Sequence, residues 1–254
     1  MFSSILTIAR YSLLEAVRGK IIWIVTALLI LSVLLAMFIS QTALTETRES
    51  QAVLMAGFLR LTSVLVMIFF VVSSMARDFQ DKSIELLFAI SIPRYQVFLG
   101  KFAGYSLLAL TIGMLYATIL FFYAEAAAVL IWSLSLYCEL CIVALLSLIF
   151  ILSLENVALS LMASIGIYSL MRFMPAIQSM GEGPLQEGVF NQLINGLLDL
   201  IGFFLPRLDH FAQSGWLQSA SASGVDVLSF MIEFMLFVIL FAAVGIIDLK
   251  RKAI

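Results

Sequence analysis

Three carboxylates, Glu139, Glu155 and Glu233, stand within or beside long apolar stretches of the sequence. A carboxylate inside a membrane is costly, so these residues are the first candidates for chemistry, as sites of proton coupling. The alternative role for Glu139 and Glu233 is structural, with the carboxylate facing the helix bundle or a dimer partner and bonded to a serine or tyrosine such as Tyr137. We favour the structural role, and we expect Glu155 to lie at the membrane edge.

Arg60 is the basic residue inside the second predicted membrane span, about residues 52-76. We expect it to lie near the outer end of a membrane span, where its long side chain reaches the polar interface. The alternative is an arginine that faces a central pathway. Arg60, Glu139 and Glu233 are therefore the candidate pathway residues.

Cysteines 138 and 141 have the spacing of a metal or redox pair, but a metal site needs further ligands and none are nearby in the sequence. Met171, Met174 and Met180 suit Cu(I), although most methionines fill cores. His210 and Ser214 lack the surroundings of a buried nucleophile. We therefore predict no catalytic residue and no metal site.

Nucleotide and nucleic-acid binding are also not expected of this chain. The phosphate-binding pattern Gly-x4-Gly-Lys-Ser/Thr does not occur in the sequence. The formal net charge of -2 offers no basic surface for nucleic acid. We expect no cofactor in the chain itself.

The composition indicates that these residues belong to a membrane protein. Hydrophobic residues make up 63% of the chain and charged residues 12%, against about 45–50% and 25% in soluble domains. Two charge-free stretches, Ile21 to Ile39 and Phe102 to Ala124, are each long enough to cross a bilayer as a helix. We predict an all-α integral membrane protein with one transmembrane domain over residues 1-254. Its six predicted spans are about 21-40, 52-76, 102-123, 127-154, 157-174 and 225-247.

The remaining segments complete the predicted architecture. Residues 1-20 carry apolar side chains at helical spacing, which predicts an amphipathic helix on the membrane surface. Residues 175-224 contain Gly196, Gly202 and Pro206, which favour an outer re-entrant helical segment over a seventh span. Lysine and arginine are concentrated at one set of span ends, which predicts that both termini and residues 77-101 are cytoplasmic.

Residues 77-101 hold the densest charge of the chain. Ser83 is suited to cap a helix, and Pro93 is suited to end it, which predicts a rigid helix of about two turns parallel to the membrane. The alternative is a solvated charged loop with a satisfied internal ion pair.

This segment resembles the loop after the second span of ABC type-2 transporter permeases. The family pattern is matched in order and spacing by Arg77-Asp78, Ser83-Ile84-Glu85-Leu86-Leu87, Ile92-Pro93-Arg94 and Leu99-Gly100-Lys101. Lys82 and Ser83 replace the usual glycine and threonine. A second stretch, Phe204 to Phe211, resembles the Leu-Pro-x-Leu-x-x-Phe motif of permeases grouped with the nitrous-oxide-reductase maturation system.

The resemblance implies a transmembrane subunit of a bacterial exporter in the inner membrane. The coupling helix would dock into a separate ABC ATPase, present in two copies, which binds ATP and Mg²⁺. A second copy or a similar permease would complete the substrate pathway among membrane lipids. Docking would use Arg77, Asp78, Glu85 and Arg94, while Leu86, Leu87 and Phe88 pack below these charged residues. The substrate class stays open between lipid or glycan, drug, peptide, and a sulfur or copper species.

Two other functions remain alternatives. One is a secondary transporter driven by protons through Glu139 and Glu233. The other is a membrane anchor that holds an ATPase and moves no substrate. The first predicts that Glu233→Gln abolishes transport while disruption of the charged segment is tolerated. The second predicts that the complex with the ATPase forms but that no ligand alters hydrolysis.

Overall fold

The structure, a computed structural model, describes residues 2–19, 21–42, 47–81, 93–181, 217 and 224–251. The long elements in this part of the chain are helices, and no strand occurs among the described residues. They are α1 Phe2–Arg18, α2 Ile21–Thr42, α3 Thr47–Gln80, α4 Arg94–Leu120, α5 Ala126–Leu154, α6 Val157–Gly181 and α7 Gly224–Arg251. The predicted all-α class is confirmed.

Five helical stretches are long and apolar enough to cross a membrane. They are Gln51–Gln80, Tyr95–Leu120, Ala126–Leu154, Val157–Met174 and Val227–Leu249. A sixth counts only if Ile5–Arg18 and Ile21–Leu35 are taken together as one span bent by 56°. The helices indicate a multi-pass membrane protein, and the count of six spans stays a prediction.

Helices α3, α4 and α6 extend furthest beyond the predicted spans. Helix α3 continues to Gln80, and α4 begins at Arg94 rather than at Phe102, so residues 77-101 are helical at both ends. Helix α6 continues through Pro175 to Gly181 rather than ending at Met174. In α6, Pro175 removes one backbone hydrogen bond but leaves the neighbouring ones. In α3 and α4, charged residues are tolerated where the helix leaves the apolar layer.

Helix α5 is the centre of the bundle. Helices α3, α4, α6 and α7 all pack against it. Every residue from Cys138 to Leu148 is buried, and a helix that is apolar and buried on all sides belongs in a core. Its neighbours contribute large buried side chains, among them Tyr105 and Tyr116 of α4. The predicted re-entrant segment lies outside the described residues, apart from residues 175–181, Leu217 and Gly224.

Helix α1 packs closely along the start of α4. A Cβ atom at Gly100 would lie 2.8 Å from the Cβ of Ile8, and one at Gly104 would lie 2.6 Å from the Cβ of Ser12. Glycines four residues apart allow two helix backbones to approach. The predicted surface helix therefore has one face on the protein, while its apolar residue Leu6 is 72% exposed.

A two-residue turn joins α5 to α6. The Asn156 side-chain oxygen accepts hydrogen bonds from the backbone N–H groups of Ala158 at 3.0 Å and Leu159 at 3.2 Å. These bonds cap the first turn of α6. Glu155 adopts a left-handed conformation with φ 52°, which reverses the chain. Because this connection is so short, α5 and α6 are held as antiparallel neighbours.

Candidate functional site

Arg60 lies in the interior of the bundle, where α3 meets α5. Its side chain is 1% exposed. One terminal nitrogen, Nη2, donates a 2.6 Å hydrogen bond to Ser135 Oγ, and the other, Nη1, lies 3.3 Å from Glu139 Oε2. The guanidinium carbon lies 5.3 Å from the centre of the Trp132 ring, within the range of a cation–π contact. Arg60 is therefore a paired internal charge.

The expected snorkelling position of Arg60 is wrong for a specific reason. Trp132, Ser135 and Glu139 follow one another at spacings of three and four residues, which places all of them on one face of α5. That face is turned toward α3. An arginine with a carboxylate, a hydroxyl and an aromatic ring within reach has no need to extend to the polar interface.

Glu139 is fully buried and has partners on two helices. In addition to Arg60, the Tyr168 hydroxyl of α6 donates a 3.0 Å hydrogen bond to Glu139 Oε1. The predicted partner Tyr137 is wrong, because residues two apart on a helix do not face the same side. The Tyr137 hydroxyl instead shares a 2.8 Å hydrogen bond with Ser106 of α4.

A second arginine stands close to this ion pair. Arg172 follows Tyr168 by one helical turn on α6, and its charge acts on both Arg60 and Tyr168. We call Arg60, Glu139, Tyr168 and Arg172 the central charge cluster. It joins α3, α5 and α6 and combines two cationic groups with one carboxylate.

The geometry of the central charge cluster favours a structural role for Glu139. Arg60 engages one carboxylate oxygen and Tyr168 engages the other. A carboxylate held in this way fixes the relative position of three helices, because any sliding of one helix would separate buried charges. Glu233, the other pathway candidate, lies partly buried on α7, which packs against α4 and α5.

A second charged group ties α1 to the ends of α3 and α4. Glu15 of α1 accepts a 2.9 Å bond from Arg77 Nη2 and a 2.8 Å bond from Ser74 Oγ. Its Oε2 atom also lies 3.7 Å from Lys101 Nζ, and Lys101 forms an ion pair with Asp78. We call Glu15, Ser74, Arg77, Asp78 and Lys101 the Glu15 cluster.

The Glu15 cluster contains two of the residues that we predicted to contact an ATPase. Asp78 is engaged within the chain by Lys101. Arg77 is bonded to Glu15, yet its side chain remains 51% exposed and accessible to a partner or ligand. The sequence does not predict Glu15 as the partner of Arg77 or Lys101 as the partner of Asp78. Nothing in the spacing of residues along the chain shows that α1 lies beside α4.

The other predicted coupling residues lie at or beyond the edge of the described chain. Pro93 is exposed and stands immediately before α4, and Arg94 is the first residue of that helix. The middle of the predicted coupling helix, with Ser83, Glu85, Leu86 and Leu87, lies outside the described residues.

The two cysteines are buried free thiols. Cys141 donates a 3.6 Å hydrogen bond to Ser106 Oγ, beside the Tyr137 hydroxyl. Among the described residues, no group of three or more histidine, cysteine, aspartate or glutamate side chains is arranged to hold a metal ion. The geometry gives Cys141 a packing role between α4 and α5.

Comparison of the chain with protein families finds no match, and comparison with curated proteins finds no similar sequence.

Proposed function

We propose that this chain is the transmembrane permease subunit of an ABC transporter. It forms a substrate pathway as a dimer, with a second copy or a similar permease. It is driven by two copies of a separate ATPase that bind ATP and Mg²⁺. The direction is export across the bacterial inner membrane, and both termini are cytoplasmic. The proposal begins from the resemblance of residues 77-101 to the coupling segment of type-2 permeases.

The Glu15 cluster is the observation that carries the proposal. An ATPase moves a permease only if the segment that it contacts is mechanically joined to the spans. The two helices that flank residues 82–92 are joined to each other by Asp78 and Lys101. Both are also joined to α1 through Glu15. A displacement of the segment would therefore move α1, α3 and α4 together.

Helix α3 extends this connection into the bundle. Arg77 of the Glu15 cluster and Arg60 of the central charge cluster lie on the same helix. They are separated by 17 residues, about 25 Å along the helix axis. A shift of α3 would act directly on α5 and α6 through Glu139 and Tyr168. This supports a route from the coupling segment to the spans that would line the pathway.

Affinity purification of the tagged chain from its native membrane tests the proposal. We expect an ATPase subunit to copurify and to hydrolyse ATP, as measured by mass spectrometry and phosphate release. Glu85→Arg should abolish copurification or uncouple hydrolysis, because it reverses a predicted docking charge. Glu125→Arg, which changes an exposed carboxylate in the loop between α4 and α5, is the matched control and should behave as wild type.

The alternatives give different results in the same experiment. A proton-driven transporter would purify without an ATPase, would tolerate Glu85→Arg and would lose transport with Glu233→Gln. A membrane anchor would retain the ATPase, but no ligand would alter hydrolysis. Wild-type chain that purifies alone and without hydrolysis would contradict the ABC proposal.

A further inference from the structure

A groove of about 390 Å³ opens where α1 and α2 meet α3. The junction contributes Ile21 and Ile24 to its wall, and α3 contributes Leu65, Phe69, Ser73 and Arg77. These four α3 residues recur every fourth position. They form one stripe along the helix, about 18 Å long from Leu65 to Arg77.

The groove is apolar along most of its length and cationic at one end. Ser73 and Arg77 are the polar residues of its wall. Arg77 uses Nη2 to bond Glu15, and its side chain is 51% exposed. An arginine has five N–H donors, so Arg77 retains donors for a ligand. Arg18 is also exposed and directly precedes Gly19, which lines the same groove.

A second groove on the other side of the same junction provides a comparison. It is smaller, about 120 Å³, and lies between the α1–α2 junction and α4. Thr111 is the only polar residue of its wall, and no charged residue lines it. The combination of an apolar channel with an arginine at its end therefore distinguishes the α3 groove, and it is not a general feature of the junction.

We propose that the α3 groove binds a membrane phospholipid with an anionic headgroup. One acyl chain lies along the stripe from Leu65 to Phe69, and the headgroup phosphate accepts hydrogen bonds from Arg77. Basic pockets between membrane spans recognise anionic lipid headgroups in this way. The wall is open to surrounding lipid, since Ile24 is 48% and Phe69 51% exposed. The inference does not depend on the ABC proposal.

A second copy of the chain fits this groove less well than a lipid. Two copies in one membrane with the same orientation are related by an axis along the membrane normal. A two-fold interface centred on this groove would bring the Arg77 side chains of the two copies toward each other, because Arg77 lies in its wall. Like charges facing each other oppose such an interface, whereas an anionic headgroup complements them.

Native mass spectrometry of the delipidated full chain in detergent tests the inference. The probes are phosphatidylglycerol and phosphatidylcholine with identical acyl chains. We expect one tightly held phosphatidylglycerol per chain and weaker phosphatidylcholine binding. Arg77→Gln should weaken phosphatidylglycerol about fivefold, the effect of one basic residue. Arg10→Gln, at an exposed position of α1, should leave it unchanged.

A second pair of variants tests the apolar part of the groove without touching the Glu15 cluster. Ile24→Trp fills the groove and should displace the lipid. Ile30→Trp, at an exposed position of the same helix that is 56% exposed and outside the groove, should not. Glycerol phosphate, a headgroup without chains, should give no adduct, which separates a lipid site from a phosphate site.

Several results would overturn the inference. They are equal binding of the two lipids, adducts that survive both Arg77→Gln and Ile24→Trp, or glycerol phosphate binding as tightly as the lipid. A lipid-free dimer that Ile24→Trp dissociates would assign the groove to a second copy instead. Circular dichroism measures the helicity of each variant and establishes whether it is folded. If Arg77→Gln does not fold, the lipid binding of Ile24→Trp tests the inference.

Discussion

Arg60 and Glu139 form an internal ion pair, and either charge would be costly to bury without the other. Both side chains are almost fully buried, so removing one partner leaves an uncompensated charge inside the bundle. Sequence alone supplies part of this result, because an intramembrane arginine needs an anionic partner and the spans hold few carboxylates. The sequence does not show which carboxylate is the partner of Arg60, because the packing of the helices, and not spacing along the chain, decides which helices are neighbours.

Single and double substitutions should separate the ion pair from simple core packing. We predict that Arg60→Met or Glu139→Leu lowers the free energy of unfolding by about 3–5 kcal/mol, whereas the double variant recovers most of the loss. Reversible denaturation in mixed micelles measures this. Arg10→Met, at an exposed position, is the control and should change stability by less than about 0.5 kcal/mol. Additive losses in the double variant would contradict the pairing.

The Tyr168 hydroxyl is the second partner of Glu139. We predict that Tyr168→Phe costs about 1–3 kcal/mol, because it leaves one oxygen of a buried carboxylate without its donor. The same denaturation assay measures the change. Tyr11→Phe is the matched control, since Tyr11 is 69% exposed. Equal stability of the two variants would show that the hydroxyl does not support Glu139.

At the scale of helices, apolar stretches of the sequence predict that a helix exists better than they predict where it begins and ends. The two-residue turn of Glu155 and Asn156 lies between α5 and α6 as predicted, because a charge and a capping side chain interrupt an otherwise apolar run. The ends of α3 and α4 extend into residues 77-101, where Asp78 and Lys101 form an ion pair between the two helices. Hydropathy cannot register such pairing.

The packing of α1 on α4 depends on the two glycines of α4. We predict that Gly104→Leu lowers the free energy of unfolding by about 1–3 kcal/mol, because the added side chain overlaps Ser12 and Ala9. Hydrogen exchange should show α1 losing protection before the other helices. Gly166→Leu on α6 is the control, since a Cβ atom there meets nothing within 4 Å. Unchanged protection of α1 in Gly104→Leu would contradict the close packing.

At the scale of the whole molecule, the account predicts opposite sides for the two ends of α4. The helix from Arg94 to Leu120 has 27 residues, about 40 Å at the usual helical rise, enough to cross a bilayer. In a background with Cys138→Ala and Cys141→Ala, Glu125→Cys should react with an impermeant maleimide in intact spheroplasts. Asp81→Cys should react only after permeabilisation. Labelling of both from one side would contradict the orientation.

The sequence resemblance and the Glu15 cluster converge on one region, residues 77-101. The resemblance to type-2 permeases implies the coupling role, and the structure adds that α1 is bonded to both flanking helices. That contact joins residues more than fifty positions apart in the chain. A local sequence pattern cannot indicate such a contact. The sequence therefore predicts α1 as a membrane-surface helix and does not predict its contact with α3 and α4.

Site-specific photo-crosslinking in native membranes tests whether the coupling segment contacts an ATPase. A photoreactive residue replaces Glu85 in the coupling segment or, as a control, Phe122, which is 82% exposed between α4 and α5. We predict that the probe at position 85 captures an ATPase subunit, identified by mass spectrometry, and that the probe at position 122 does not. Capture of no ATPase at position 85, or equal capture at both positions, would contradict the claim that this chain is the permease of an ABC transporter.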